Sequence, residues 1–368
     1  MLRRHFLSTA ALAAVAGAFP SDVRAQRHVQ ALFINPGRHD EAFWSDVSRA
    51  AAVAAEHLGI ELGVVYGERN RITTLEVGRQ AIGAAAPGSY VLIVNEQQTG
   101  AALVEAALQR GLKVLMVFNP LTGADAAAFG RPRVLYANFI GQLIPDNMDA
   151  GAKIARAVIS AVRATRPGAK VSMLALGGLT ATPAASDRER GLHDLIGKEA
   201  GVELLQVVPT DWTETDGYAR CLGLLQRYPS VNAVWCANDP IAAGAMRALI
   251  EAGRVPGKDV AVAGLNWSAE GIRAVADGRM AATVGGHVLC AAFGLVLVAD
   301  HAGGADFADL GVEMTLPFGV IDQGAARRWI ARFGDAQPNW KAVNFRHLAR
   351  SHDRSIKGYD FSSAALLG

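Results

Sequence analysis

Short apolar runs of strand length alternate along this chain with longer stretches of helical periodicity, and that alternation limits the fold more than any other feature. The runs are Val29 to Ile34, Leu62 to Tyr66, Tyr90 to Val94, Val114 to Phe118, Val171 to Leu176, Leu204 to Val208, Ala233 to Cys236 and Val260 to Leu265. Strands separated by helices cannot pair as hairpins, so they build βαβ units and parallel sheets. Between the first two runs Phe43, Val47, Ala51, Ala54 and Leu58 recur at helical spacing, which is a core-facing stripe. Gly59 and Gly111 stand just ahead of strands, where a helix ends in a left-handed turn. The series breaks between Phe118 and Val171, with a short apolar piece near Ile140 and a helix start after Pro145. After Thr283 come a helix from Val288 to His301, an apolar piece at Met314 to Phe318 and an amphipathic segment near Ile330. The expected architecture is α/β: two similar doubly wound, Rossmann-like parallel-sheet lobes, a multi-strand hinge and a ligand cleft between them. The expected lobes are residues 26–145 with 287–318, and 146–286 with 319–334; residues 335–368 form an extension.

The first 25 residues read as an export signal. Arg3 and Arg4 precede an apolar stretch from Phe6 to Phe19, and Val23-Arg24-Ala25 ends in a small residue suited to cleavage before Gln26. "RRHFL" also fits a twin-arginine signal, so that route and the general secretory route both stay open. Removing this segment takes away Arg3, Arg4, Arg24 and Asp22, so the whole-chain charge of +2 belongs to the signal. A near-neutral chain without basic runs carries no electrostatic footprint for nucleic acid. The apolar stretch is too short for a permanent anchor, and an exported, soluble protein is expected. Cys221, Cys236 and Cys290 are odd in number and two lie in apolar surroundings, which favours buried thiols over a disulfide framework.

The run ending at Cys236 stops at Asn238-Asp239-Pro240, and a helical pattern starts at once. Either Asp239 caps the helix, with Pro240 at its first position, or the polar pair holds a ligand at the carboxyl end of a strand. No G-x-S-x-G elbow, H-E-x-x-H, phosphate loop or dinucleotide fingerprint is present, so the chain is read as a binder and not an enzyme. His39-Asp40-Glu41 is a metal-capable set, but at a strand-to-helix turn a solvated cleft rim is the commoner use. No cofactor and no metal are expected.

The landmarks "EAFW" at Glu41 to Trp44, "PDNMDAG" at Pro145 to Gly151, "RERG" at Arg188 to Gly191, "ANDPIAAGAMRAL" from Ala237 and "DGRMAATVGG" at Asp277 to Gly286 occur in a telling order. In that order and spacing the chain from about Val29 to Phe333 resembles a type I periplasmic binding protein of the sugar-binding group, similar in plan to ribose- and galactose-binding proteins. The resemblance implies aromatic side chains on the C–H faces of a sugar and planar polar groups on its hydroxyls. It assigns Phe43 and Trp44 to the first lobe's aromatic pair, Trp212 to the opposing aromatic and Arg190 to the ligand arginine. Asn147 matches the crossover asparagine, and Asn238 the second-lobe asparagine that faces the cleft while Asp239 and Pro240 begin the helix. Other uses stay open: a core stripe for Phe43 or Trp44, a pair with Asp187 or Glu189 for Arg190, and a cap for Asn147.

The chain also departs from the ribose-binding pattern. Phe118-Asn119 replaces an Asp-Arg pair, Asn266 replaces an aspartate, and Gly286-His287 replaces a hinge glutamine. The ligand is therefore expected to be a sugar or sugar-like molecule other than ribose, with Glu41, Glu96, Asn119, Asn266 and His287 as further contacts. The resemblance implies a monomer partnered by the permease of an ABC transporter, or alternatively by a membrane sensor kinase.

Overall fold

In the computed structural model, which describes residues 29–362, each expected strand forms. The first half runs β1 (Val29–Asn35), α1 (Ala42–Leu58), β2 (Ile60–Tyr66), α2 (Arg71–Ala84), β3 (Tyr90–Ile93), α3 (Gly100–Gln109), β4 (Lys113–Val117), α4 (Gly123–Phe129) and β5 (Phe139–Pro145). Next come α5 (Asn147–Thr165), β6 (Val171–Gly177), α6 (Pro183–Ile196), β7 (Val202–Pro209), α7 (Glu214–Arg227), β8 (Ala233–Cys236), α8 (Asp239–Glu251), β9 (Ala261–Leu265), α9 (Ala269–Ala276) and β10 (Ala282–Gly285). The chain closes with α10 (Cys290–Ala302), β11 (Glu313–Leu316), β12 (Gly319–Ile321) and α11 (Gln323–Phe333). The export signal and its cleavage site lie outside the described residues.

The strands form two six-stranded sheets, ordered β11-β5-β4-β3-β1-β2 and β12-β10-β9-β8-β6-β7. Every pairing is parallel except β10 with β12. In both sheets the order reverses beside the lobe's first strand, the topological switch point at which open α/β sheets hold ligands. The chain passes from one sheet to the other after β5, after β10 and between β11 and β12. The apolar piece at Met314 to Phe318 is therefore not one element. It ends β11 in the first sheet, and its last two residues carry the chain across to β12.

Local rules place the helices. Gly59 closes α1 with φ of 68°, and its N–H donates to the carbonyls of Ala55 and Glu56. Helix α10 is buried from Cys290 to Asp300 and fills the first sheet's inner face beside α1. In the second lobe, Gly151 of α5 lies against the Arg188 carbonyl and Gly191 of α6 against the Met148 carbonyl. A Cβ at either glycine would clash with backbone. The two helices therefore meet backbone to backbone, which is the physical content of the "PDNMDAG" and "RERG" landmarks.

Candidate ligand-binding cleft

The carboxyl ends of both sets of strands face one cavity of about 550 Å³. Glu41, Phe43, Trp44, Asn119, Asn147, Trp212, Asn238, Asn266 and His287, all proposed from sequence, line it. Arg190 does not. Its side chain is 64% exposed and pairs with Asp187 on its own helix. The reason is helical phase: the buried face of α6 carries Ala185, Arg188, Leu192 and Leu195, and Arg190 points the other way. Arg188 occupies the cavity instead.

Arg188 is almost wholly buried and tightly held. Its Nε donates to Asn147 Oδ1 at 2.9 Å and one terminal nitrogen donates to the Ala237 carbonyl at 2.9 Å. Burial lowers its pKa to about 10, partly offset by Glu96 and Asp187, so it stays charged at neutral pH. The guanidinium lies 5.6 Å from the Trp212 ring centroid and 6.0 Å from that of Phe318. Asn147 is not a cap. Asp146 caps α5, while Asn147 donates to the Pro145 carbonyl and orients Arg188.

Trp212 sits in the β7 to α7 loop at φ of 73°, its ring laid over Gly178, where any Cβ would clash. Asn238 fixes that loop: its Nδ2 donates to the Trp212 carbonyl at 3.0 Å and its Oδ1 accepts from Ile241 N at 2.8 Å. The cap of α8 is thus Asn238, which lines the cleft as well, and not Asp239, which is already the first residue of the helix. Asp239 is buried beneath, accepting from Ser268 N, Ser268 Oγ and Thr283 Oγ1 at 2.8 to 3.0 Å. This ties α8 to α9 and β10, and so steadies the Asn266-Trp267 turn.

On the opposite side Phe43 stacks on His287, with ring centroids 4.7 Å apart, and meets Phe118 edge-on at 6.3 Å. His287 lies at the second crossing, and burial, then the Arg188 charge, hold its pKa well below the usual value, so the ring is neutral. Trp44 belongs to both of its readings, since it is 4% exposed on the core stripe of α1 and still borders the cavity.

Two carboxylates, Glu41 and Glu96, also line the cavity. Arg69, in the loop after β2, grips Glu41 with two hydrogen bonds of 2.5 and 2.9 Å and reaches Glu96 at 3.2 Å. Asn119 Nδ2 donates to the other Glu96 oxygen at 3.1 Å. Burial pushes the Glu96 carboxyl up while Arg69 pulls it down, with a net rise. For Arg69 burial works against the charge, but Glu41 and then Glu96 outweigh it and raise the pKa. Arg69 carried no sequence signal beyond being a polar residue in a loop. The members of His39-Asp40-Glu41 point to separate partners, Glu68, Arg38 and Arg69.

Arg69, Gln97, Phe118, Trp212 and Asn266 all line the cavity with positive φ, between 48° and 148°. Non-glycine residues take such angles at a cost, and five of them border this one cavity.

Paired parallel sheets, three crossings and a cavity with aromatic and planar polar groups from both sides define a two-lobed solute-binding protein. The periplasmic binding protein domain model matches residues 31–301, and the chain belongs to that family. A solved periplasmic sugar-binding protein from Pseudomonas fluorescens is 32% identical, covering 92% of this chain and 100% of that one with a TM-score of 0.82. The ribose import binding protein of Salmonella typhimurium is 28% identical over 244 residues, 66% of this chain and 74% of that protein. A solute-binding protein of an ABC transporter from Actinobacillus succinogenes, solved with bound D-allose, shares the fold at a TM-score of 0.70 and 16% identity. Among the described residues no helix is long and apolar enough to cross a membrane.

Proposed function

We propose that this protein captures a monosaccharide or close sugar analogue in the periplasm, closes its lobes around it and delivers it to the permease of an ABC importer. The lobes are residues 26–145 with 287–318 and 146–286 with 319–334, and the protein acts as a monomer after export. One observation carries the reading: Phe43 with Trp44 on one wall and Trp212 with Arg188 on the other face one cavity, with carboxylates and amides between them. Flat apolar surface for C–H faces and planar polar groups for hydroxyls together suit a sugar ring. The carboxylates Glu41 and Glu96 face two cations, Arg69 in direct contact and Arg188 across the cavity, and this balance favours an uncharged ligand over a sugar acid. Native mass spectrometry of protein taken from its own compartment, followed by titration with D-ribose, D-allose, L-arabinose and D-galactose, tests this. A co-purifying sugar mass or saturable sugar binding supports it. A tightly bound species that is not a carbohydrate would displace it.

A further inference from the structure

We propose that residues 335–362 form a strap that crosses the two lobes a fourth time and sets how far the cleft opens. This rests on the two-lobe closure reading above and adds a part that the closure of paired sheets does not require.

The segment leaves α11, which packs on α9 and β12 of the second lobe. Asn339 N donates to the Phe333 carbonyl at 3.0 Å, and the Trp340 ring, 3% exposed, packs 6.0 Å from Phe333 and 6.2 Å from Trp329. From there the chain returns to the first lobe, along α1 and α10. Phe345 is fully buried beside His57 of α1 and Phe293 of α10, and Phe361 stacks on Phe293 with centroids 4.5 Å apart. The anchor is Asp300 of α10, a carboxylate with no exposure that accepts from Arg350 N, Ser351 N and Tyr359 Oη at 2.7 to 2.8 Å. Arg350 adds a bidentate pair to Asp309, both bonds 2.7 Å.

One end is thus fixed to the first lobe by a buried carboxylate and stacked rings, and at the other the turn of Trp340 lies between α11 of the second lobe and α1 of the first. The second-lobe end also reaches the hinge: Trp329 packs 5.0 Å from Trp267, whose ring covers Gly285 and whose Nε1 donates to the Thr283 carbonyl. Rotating the lobes has to slide or break the Trp340 contact, because the Asp300 end is rigid. A contact made in one lobe arrangement and lost in another biases the balance between them.

Spin labels report this without any ligand. Glu105→Cys on α3 and Ala219→Cys on α7 are exposed positions on different lobes, while Glu105→Cys with Arg79→Cys lies within one lobe; the native cysteines are buried. Distance distributions are recorded for the full chain, for Trp340→Ala and for Asp300→Asn, with melting curves alongside. The expected result is an interlobe distribution that broadens and shifts in Trp340→Ala while the intralobe one stays fixed. Asp300→Asn, which loosens the other end, gives the same change and serves as the reading if Trp340→Ala does not fold. An interlobe distribution wider than the intralobe one and unaltered by either variant overturns the strap and leaves the hinge standing. An interlobe distribution as narrow as the intralobe one in every protein overturns both.

Discussion

Asn147 and Arg188 come from helices α5 and α6, and the 2.9 Å bond between them fixes the guanidinium at the cleft wall. They meet because Gly151 and Gly191 let the two backbones touch, so helix packing and the ligand site are one arrangement.

Arg188→Ala should weaken sugar binding by roughly tenfold to a hundredfold, since a charge-assisted hydrogen bond contributes about 1.5 to 3 kcal/mol. It should also lower the melting temperature, because Asn147 Oδ1 and the Ala237 carbonyl lose their donor. Arg190→Ala should change neither, its exposed pair with Asp187 contributing at most about 1 kcal/mol. Titration and melting of both variants check this, and equal losses from the two would reject the placement of Arg188.

Gly191→Ala should destabilise the protein by about 1 to 3 kcal/mol or more, because its Cβ meets the Met148 carbonyl and backbone cannot step aside as a side chain would. Gly83→Ala, on an open face of α2, should be neutral or stabilising. Denaturant melts of the pair compare them directly. Equal stability would mean that α5 and α6 are not in backbone contact.

Burial pushes the Asp239 carboxyl up to about 6 from 3.8, against the bonds it accepts from Ser268 and Thr283. A raised folded pKa means that between about pH 4 and 6 the native state holds a proton the unfolded chain has lost. The resulting stabilisation is complete below about pH 4 and is lost as pH rises through about 6, an effect of roughly 3 kcal/mol. Stability of wild type minus that of Asp239→Asn should fall over that window and be flat above it. Other carboxylates, such as Asp306 held down by Arg133, act in both proteins and cancel in the difference. Melts at half-unit pH steps give the curve, and a flat difference throughout would show that folding leaves the Asp239 pKa unshifted.

The lobes were legible because apolar runs and helical stripes report burial, and burial is what arranges strands in an α/β fold. Asn238 was legible only through the landmark that contains it, since a strand-to-helix junction by itself suits a helix cap as well as a cleft contact. Arg188 and Arg190 flank Glu189 in three consecutive residues, and only the phase of α6 against α5 separates them; that phase is set by Gly191 touching Met148, a tertiary fact. Arg69 was invisible for a related reason: its partners Glu41 and Glu96 follow different strands, and only the sheet order β3-β1-β2 brings the three loops together. The C-terminal segment has no motif, and its role depends on the buried Asp300 that lies far from it in the chain.

The placement of α10 also bears on the order in which the chain can fold. This helix covers the inner face of the first sheet, with Gly294 against Leu92, Leu115 and Val117. Yet it is synthesised only after the whole of α5 to β10, and β11 later still. While residues 146–286 are being made, the strands β1 to β5 have one apolar face covered only by α1 and one edge without its partner. The second lobe then lacks its own edge strand, β12, but already has α5 packed on β8, β9 and β10. Assembly should therefore begin in the middle of the chain, and the nascent first lobe is the part that needs protection from aggregation until the last third of the protein arrives.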